Sequence, residues 1–515
     1  MRLIALLCVS FLVVGGLVTA WTVPRVEGDS QRLYWVTDLS PVRMEHVDGF
    51  TQWQLDRGHV TDTGNPLARV EVDPNNGDQD KIIIQGVGGV GGDIIDTRWG
   101  RQVRLFSRVG IIRDMTDIAQ ANGFSVDDTW AAIESEIAVD GRQYMYPCNV
   151  AVRLLWVNRA TFAAQGMEVP PTRWSFDEFE RIGKEYVSRA NAQSDRQTHF
   201  FCDDVPLEVL YRSVGLSIFN ETSTASALDD PRYAEVLERR RSWIYDLHLL
   251  PSPDDLSAMQ VAGGWGGASP RLFNEGRLGL LYSGRYMLIQ FRQFVLDGDE
   301  PLQLAVVEPP HGSFPNTRTT VRGAAIYRGG DHQDLAELFP RYLASELYNQ
   351  LIIDGTDALP PNPRFVESRS FTHPPDWPNE WGCHQPFVDA MHTTAIGGSY
   401  SPFILSSDAE RIRDRFMDEY NAGVITDPAE AARRTAELIQ LRIDRNLAEF
   451  PETRAQYDAL VETQRRIDAL KQAGQPIPAE WINNPFYLRY YAERGMLVEP
   501  SDASAAAAAP TGDDS

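Results

Sequence analysis

The sequence predicts an α/β protein of about two or three domains. Its 515 residues exceed what one hydrophobic core organises, and 43% hydrophobic with 23% charged residues is the balance of a globular chain. Along the first half, short apolar strands alternate with amphipathic helical stretches, the pattern of a sheet covered by helices.

The elements follow in chain order. After Arg2, residues 3–20 carry no charge and are followed by Trp21, Thr22, Val23, Pro24 and Arg25. This is an export signal. Val18-Thr19-Ala20 presents small residues where a signal peptidase cuts, and an apolar run of ~18 residues is also long enough to stay as an anchor, so residues 1–27 read as a signal peptide or an N-terminal membrane anchor. Either outcome puts the body in the periplasm or another extracytoplasmic space. Residues 33–36 read as a strand, residues 37–41 as a polar turn, and the stretch towards Leu55 as a helix. Further strands are expected at 70–72 and 93–96, the latter after a glycine run from Gly86 to Gly92. Ser175 with Glu178 forms a capping box that opens a helix through Tyr186. A single helix is expected over 334–347, and Asp427-Pro428 starts another. Residues 451–500 read as a helical extension with an aromatic stretch at 485–491, and the alanine-rich, acidic residues 501–515 as a disordered tail.

Composition excludes several function classes. A net charge of −24, from 72 acidic against 48 basic residues, repels a phosphate backbone and argues against nucleic acid. Beyond Cys8 only Cys148, Cys202 and Cys383 remain, an odd number without CxxC spacing, which allows at most one disulfide and reads as buried thiols. Gly86-Val87-Gly88-Gly89-Val90-Gly91 satisfies G-x-G-x-x-G, but a dinucleotide site needs that run to follow a strand and open a helix, whereas here it leads into a strand. Asp203-Asp204 and Asp254-Asp255 are adjacent pairs, which seldom face each other across a glycosidic bond, and read as turn or helix-start acids. No GxSxG or HExxH occurs and the histidines are scattered. The expectation is a protein without catalytic residues, metal or cofactor.

Asp140-Gly141-Arg142-Gln143-Tyr144-Met145-Tyr146-Pro147, Leu154-Leu155-Trp156-Val157-Asn158-Arg159, and Pro170-Pro171-Thr172 with Trp174-Ser175-Phe176-Asp177-Glu178-Phe179 follow one another along the chain. Residues 272–280 with Gly284-Arg285-Tyr286, and residues 322–327 with Ala358-Leu359-Pro360, continue the series. From residue 31 to 445 this order of segments resembles the family 1 extracellular solute-binding proteins, the maltose and multiple-sugar receptors of ABC importers: the first two pieces resemble the family's DGKxYGxP and LxYNKD elements, and Gly92-Asp93 stands where the family has Pro-Asp. The resemblance implies a type II periplasmic-binding-protein fold of two lobes, each a mixed sheet flanked by helices, to which the residues after 450 add extra C-terminal helices. Lobe one is expected at 28–149 plus 322–360 and lobe two at 150–321 plus 361–450. It further implies a monomer that takes a small polar ligand, a sugar or polyol, into the interlobe cleft and passes it to the transmembrane subunits of an ABC permease. Two other readings remain open: a membrane-anchored ligand sensor or scaffold, and a secreted glycan-active hydrolase.

Sugars show apolar C–H faces and hydroxyl edges, so a receptor needs flat rings for stacking and planar polar groups for paired hydrogen bonds. Candidate ligand-binding residues are Trp35, Thr37 and Asp38 at the end of the first strand, Arg98 and Trp99 after the 93–96 strand, and Tyr146 and Asn149 at the first crossing between lobes. Trp265 among glycines, Arg285 and Tyr286 after a strand, Gly323 at the second crossing, and Tyr400 in a glycine-serine turn complete the set.

Overall fold

The structure is a computed structural model that describes residues 29–74, 78–259 and 267–498. The export segment, Trp265 and the acidic tail lie outside the described residues. No helix among the described residues is long and apolar enough to cross a membrane.

Among the described residues ten strands are organised into two main sheets. They are β1 (Gln31–Val36), β2 (Ala68–Asp73), β3 (Ile94–Arg98), β4 (Tyr146–Val152), β5 (Leu154–Asn158), β6 (Phe200–Cys202), β7 (Leu278–Ser283), β8 (Leu304–Val307), β9 (Thr317–Ile326) and β10 (Ala395–Ile396). The first sheet has the order β10-β9-β3-β1-β2, with β4 also paired to β9; the second has the order β8-β5-β7-β6. β1 runs parallel to β2 and β3, and helices Pro41–Arg57 and Gln79–Val87 make the crossovers that parallel pairing requires. β9 runs antiparallel to both β3 and β4. Both sheets are mixed, so the chain is a two-lobed α/β protein.

Local chemistry explains most boundaries. Ser175 accepts from the Glu178 N–H and Glu178 returns the bond, while Asp427 caps the helix Pro428–Glu449 through the Ala429 N–H. The glycine run begins inside helix Gln79–Val87 and ends at β3, so it closes a helix and does not open one. Residues 334–347 do not form one helix. Three short helices, Gln333–Ala336, Leu338–Leu343 and Glu346–Asp354, stand there, because Pro340 has no N–H to donate and Ser345 caps a fresh start through the Tyr348 N–H.

The two sheets join where β4 passes into β5 across Arg153 and where the chain returns from β8 to β9; Leu359 bridges back to Val150 of β4. Gly323 sits at a bulge in the β9–β4 pairing; a Cβ there would lie 2.6 Å from Met145 Sδ and 2.7 Å from the Tyr146 oxygen. Beyond residue 450, helices Arg454–Gln472 and Pro485–Ala492 pack Ile467, Phe486 and Tyr491 over Phe314 and Ile396. Buried Glu221 anchors them, accepting from Lys471 Nζ at 2.7 Å, the Tyr491 hydroxyl at 2.6 Å and Gln464 Nε2 at 2.7 Å. Cys148, Cys202 and Cys383 are all buried and free.

Candidate functional site

Strand ends at the meeting of two open sheets create a crevice, and here it holds about 400 Å³. Asn149 and Ala151 of β4, Arg153 after it, and Thr320 and Arg322 of β9 form its floor; Arg98 and Trp99 come from the end of β3; Asp203, Tyr282 and Tyr286 face them from the second sheet.

The wall from the first sheet is cationic and braced from behind. Asp38 lies 2.8 Å from Arg322 Nη1, 3.1 Å from Arg98 Nη2 and 3.7 Å from Arg43 Nε. Burial opposes its charge, but Arg322, Arg43 and Arg98 outweigh that and hold the Asp38 carboxyl below its usual range. Asp96 Oδ2 accepts from Arg322 Nε at 2.7 Å and from Thr37 Oγ1 at 3.1 Å, and Arg322 also donates to Thr37. Thr37 and Asp38 therefore orient the guanidinium groups that face the cleft. Trp99 opens helix Trp99–Arg108 with φ at 62°, a left-handed conformation costly for any residue with a Cβ, and Arg101 covers its ring at 4.2 Å.

The opposite wall is acidic and aromatic. Asp203 Oδ1 accepts from the Tyr282 N–H at 2.7 Å, and burial, with neighbouring Asp204, pushes the Asp203 carboxyl up to about 7. Half-buried Tyr286 flanks it. At the floor, the Arg153 Nε is enclosed without a hydrogen-bond partner. A crevice with rings on both sides, guanidinium forks and a carboxylate can grip a neutral polyhydroxylated molecule through C–H stacking and paired hydrogen bonds. Among the described residues no group of three or more His, Cys, Asp or Glu side chains converges on a metal position.

The structure brings Arg98, Trp99, Asn149 and Tyr286 to the cleft and sets Thr37 and Asp38 behind them. Other candidates lie elsewhere. Trp35 is fully buried with its ring 4.8 Å from Phe339, because strand alternation turns it into the core of the first lobe. Tyr146 is buried against Phe124. Arg285 is enclosed, donating to His384 Nδ1 at 3.0 Å and the Ala358 oxygen at 2.8 Å and stacking on Phe371 at 4.5 Å. Gly323 is taken up by strand pairing, and the Tyr400 hydroxyl donates to Glu136. Sequence reasoning missed Arg153, Asp203, Tyr282 and Arg322. Arg322 stands next to Gly323, and Asp203 belongs to an acidic pair read as a turn; Asp204 fits that reading, pairing with Arg240 at 2.9 Å, whereas Asp203 turns into the cleft.

A family model for bacterial extracellular solute-binding proteins matches residues 68–349. Solved structures share the fold at low identity. The ABC substrate-binding protein from Listeria monocytogenes in complex with cycloalternan is 18% identical with a TM-score of 0.65, over 81% of this chain and 100% of that one. A solute-binding protein from Thermotoga lettingae bound with α-D-tagatose is 14% identical with a TM-score of 0.63, over 80% and 100%. The cyclic α-maltosyl-1,6-maltose binding protein from Arthrobacter globiformis is 15% identical with a TM-score of 0.62, over 81% and 100%. No curated protein sequence is significantly similar to the chain.

Proposed function

Because the chain belongs to the bacterial extracellular solute-binding proteins, we propose that it is the extracytoplasmic substrate-binding component of an ABC importer and captures a carbohydrate between its lobes. One observation carries the reading: two separate sheets aim complementary groups at one crevice, Arg98 and Trp99 from one side and Asp203 and Tyr286 from the other. A solute that touches both walls favours the closed arrangement over the open one, and the crossings at 149–153 and 320–323 are the hinge about which residues 28–149 plus 322–360 move against 150–321 plus 361–450. Proteins of this fold solved with cycloalternan and α-D-tagatose support the carbohydrate class.

The family is one of binding proteins, and the chain is proposed to deliver its solute unchanged to permease subunits. Its body lies outside the cytoplasm. Cleavage after Ala20 releases it, and mass spectrometry of the mature N-terminus reads whether residues 3–23 are instead retained as an anchor. The decisive experiment is a thermal-shift screen over maltose, maltotriose, tagatose and glycerol, with product analysis after prolonged incubation. A sugar at ~100 times its dissociation constant adds about 2.7 kcal/mol to stability and raises the melting temperature. No shift across carbohydrates, or release of hydrolysis products by pure protein, sinks the proposal.

A further inference from the structure

The strained turn at Trp99 is held by a carboxylate that also grips the other lobe. Glu136 lies in the short helix Glu134–Ile137 on the first-lobe side and is 1% exposed. Its Oε2 accepts the Gly100 N–H at 2.5 Å; its Oε1 accepts the Gly398 N–H; the Tyr400 hydroxyl reaches the two oxygens at 2.8 and 3.0 Å. Gly100 directly follows Trp99, and its amide is a first-turn donor of helix Trp99–Arg108, whose N-cap residue Arg98 offers no side-chain acceptor. Glu136 supplies the missing acceptor and fixes the left-handed Trp99 backbone that aims the ring at the cleft. No side chain fits at Gly100, where a Cβ would lie 2.7 Å from the Ser135 oxygen and 2.8 Å from Tyr400 Cε2.

The segment carrying Gly398 and Tyr400 leaves strand β10, which pairs with β9 of the first sheet, and is then fastened to the second lobe. Arg212 donates to the Gly397 oxygen at 2.9 Å, Ser217 and Ser399 hydroxyls meet at 2.9 Å, and Ser401 donates to the Ser223 oxygen at 2.7 Å. Arg104 of the Trp99–Arg108 helix stacks over the Tyr400 ring at 4.3 Å and donates to the Ser135 oxygen at 2.6 Å, closing the same knot from the first lobe. Donors from both lobes thus converge on one buried carboxylate, and losing any of them strands a polar group away from water.

We propose that Glu136 is a positioning residue that ties the Trp99 turn at the cleft to the Tyr400 segment of the second lobe, so that the pose of the indole and the angle between the lobes change together. The proposal gives a function to the Trp99 strain and rests on the cleft being the ligand site, but its mechanical content is independent of which solute binds there. Rotation of the second lobe pulls on Gly398 and Tyr400 through Arg212, Ser217 and Ser223 while β10 holds them to the first sheet, and the bonds to Glu136 either break or draw Glu136 and the Gly100 amide with them.

The test is read first without any sugar. Amide exchange at Gly100 and small-angle scattering are compared for wild type, Tyr400→Phe and the isosteric Glu136→Gln. Tyr400→Phe removes one hydroxyl from the second lobe and leaves the ring on which Gly100 packs. Coupling predicts that Gly100 exchanges at least about fivefold faster in Tyr400→Phe, and that the scattering profile shifts in both variants. Faster exchange at Gly398 with unchanged exchange at Gly100 means the bonds are local packing and overturns the proposal. In a second arm, maltotriose is titrated by calorimetry; weaker binding in Tyr400→Phe supports the coupling. Absence of maltotriose binding to wild type counts against the carbohydrate reading alone, because the exchange and scattering results stand without it.

Discussion

Trp99 bears a side chain on a backbone that glycine adopts at no cost, so its presence trades stability for a ring at the cleft. Trp99→Gly is therefore expected to melt no lower than wild type while binding sugar at least about tenfold more weakly, the loss of a stacked ring; melting curves and calorimetry of one preparation read both effects. Asp203 makes a pH prediction. Its carboxyl is raised to about 7 by burial, against an ordinary 3.8, so between those values the folded chain keeps a proton that the unfolded chain has released. That contribution favours the folded state at low pH and is lost as pH rises through 7. Asp203→Asn should remove it, so the melting difference between variant and wild type grows from pH 5 to pH 8. His46 and His384 work in the other direction. Burial lowers them to about 3 and about 2 from 6.5, the neighbouring Arg43 and Arg285 adding to the effect, so the unfolded chain takes up protons first and stability falls as pH drops below 6.5.

At the scale of elements, the crossing strands and the extension carry the tests. In β9, Gly323 faces the Tyr146 oxygen and Met145 Sδ, so Gly323→Val must push β4 away and should cost about 2–3 kcal/mol by overpacking, seen as a lower denaturant midpoint. The two C-terminal helices cover Phe314 and Ile396 and complete the hydrogen bonds of buried Glu221. A chain ending at Glu449 leaves that carboxylate uncompensated and apolar surface bare; it is expected to bind hydrophobic dye and to melt lower than the full chain. Signals confined to a few consecutive residues were readable in advance: the Ser175 box, the Asp427 cap and strands β1 to β3 depend only on neighbours. The break of 334–347 was readable too, since Pro340 bars a continuous helix, yet apolar periodicity masked it.

For the whole molecule, hinge closure predicts that the radius of gyration falls when a bound sugar joins the two walls and stays constant when a non-binding polyol is added; solution scattering distinguishes the two. By itself the sequence determined the α/β class through local periodicity and caps, and the family, with the two lobes that it implies, through an ordered series of short motifs. It also placed Arg98, Trp99, Asn149 and Tyr286 at strand ends and crossings, where α/β proteins hold ligands. Only the tertiary structure decided that Trp35, Tyr146 and Arg285 face inward, that Tyr400 is engaged by Glu136, and that Arg153, Asp203 and Arg322 face the cleft. The physical reason is that residue type fixes what a side chain is able to bind, whereas its direction depends on partners far along the chain: Phe339 beside Trp35, His384 beside Arg285, and Glu136 beneath Tyr400.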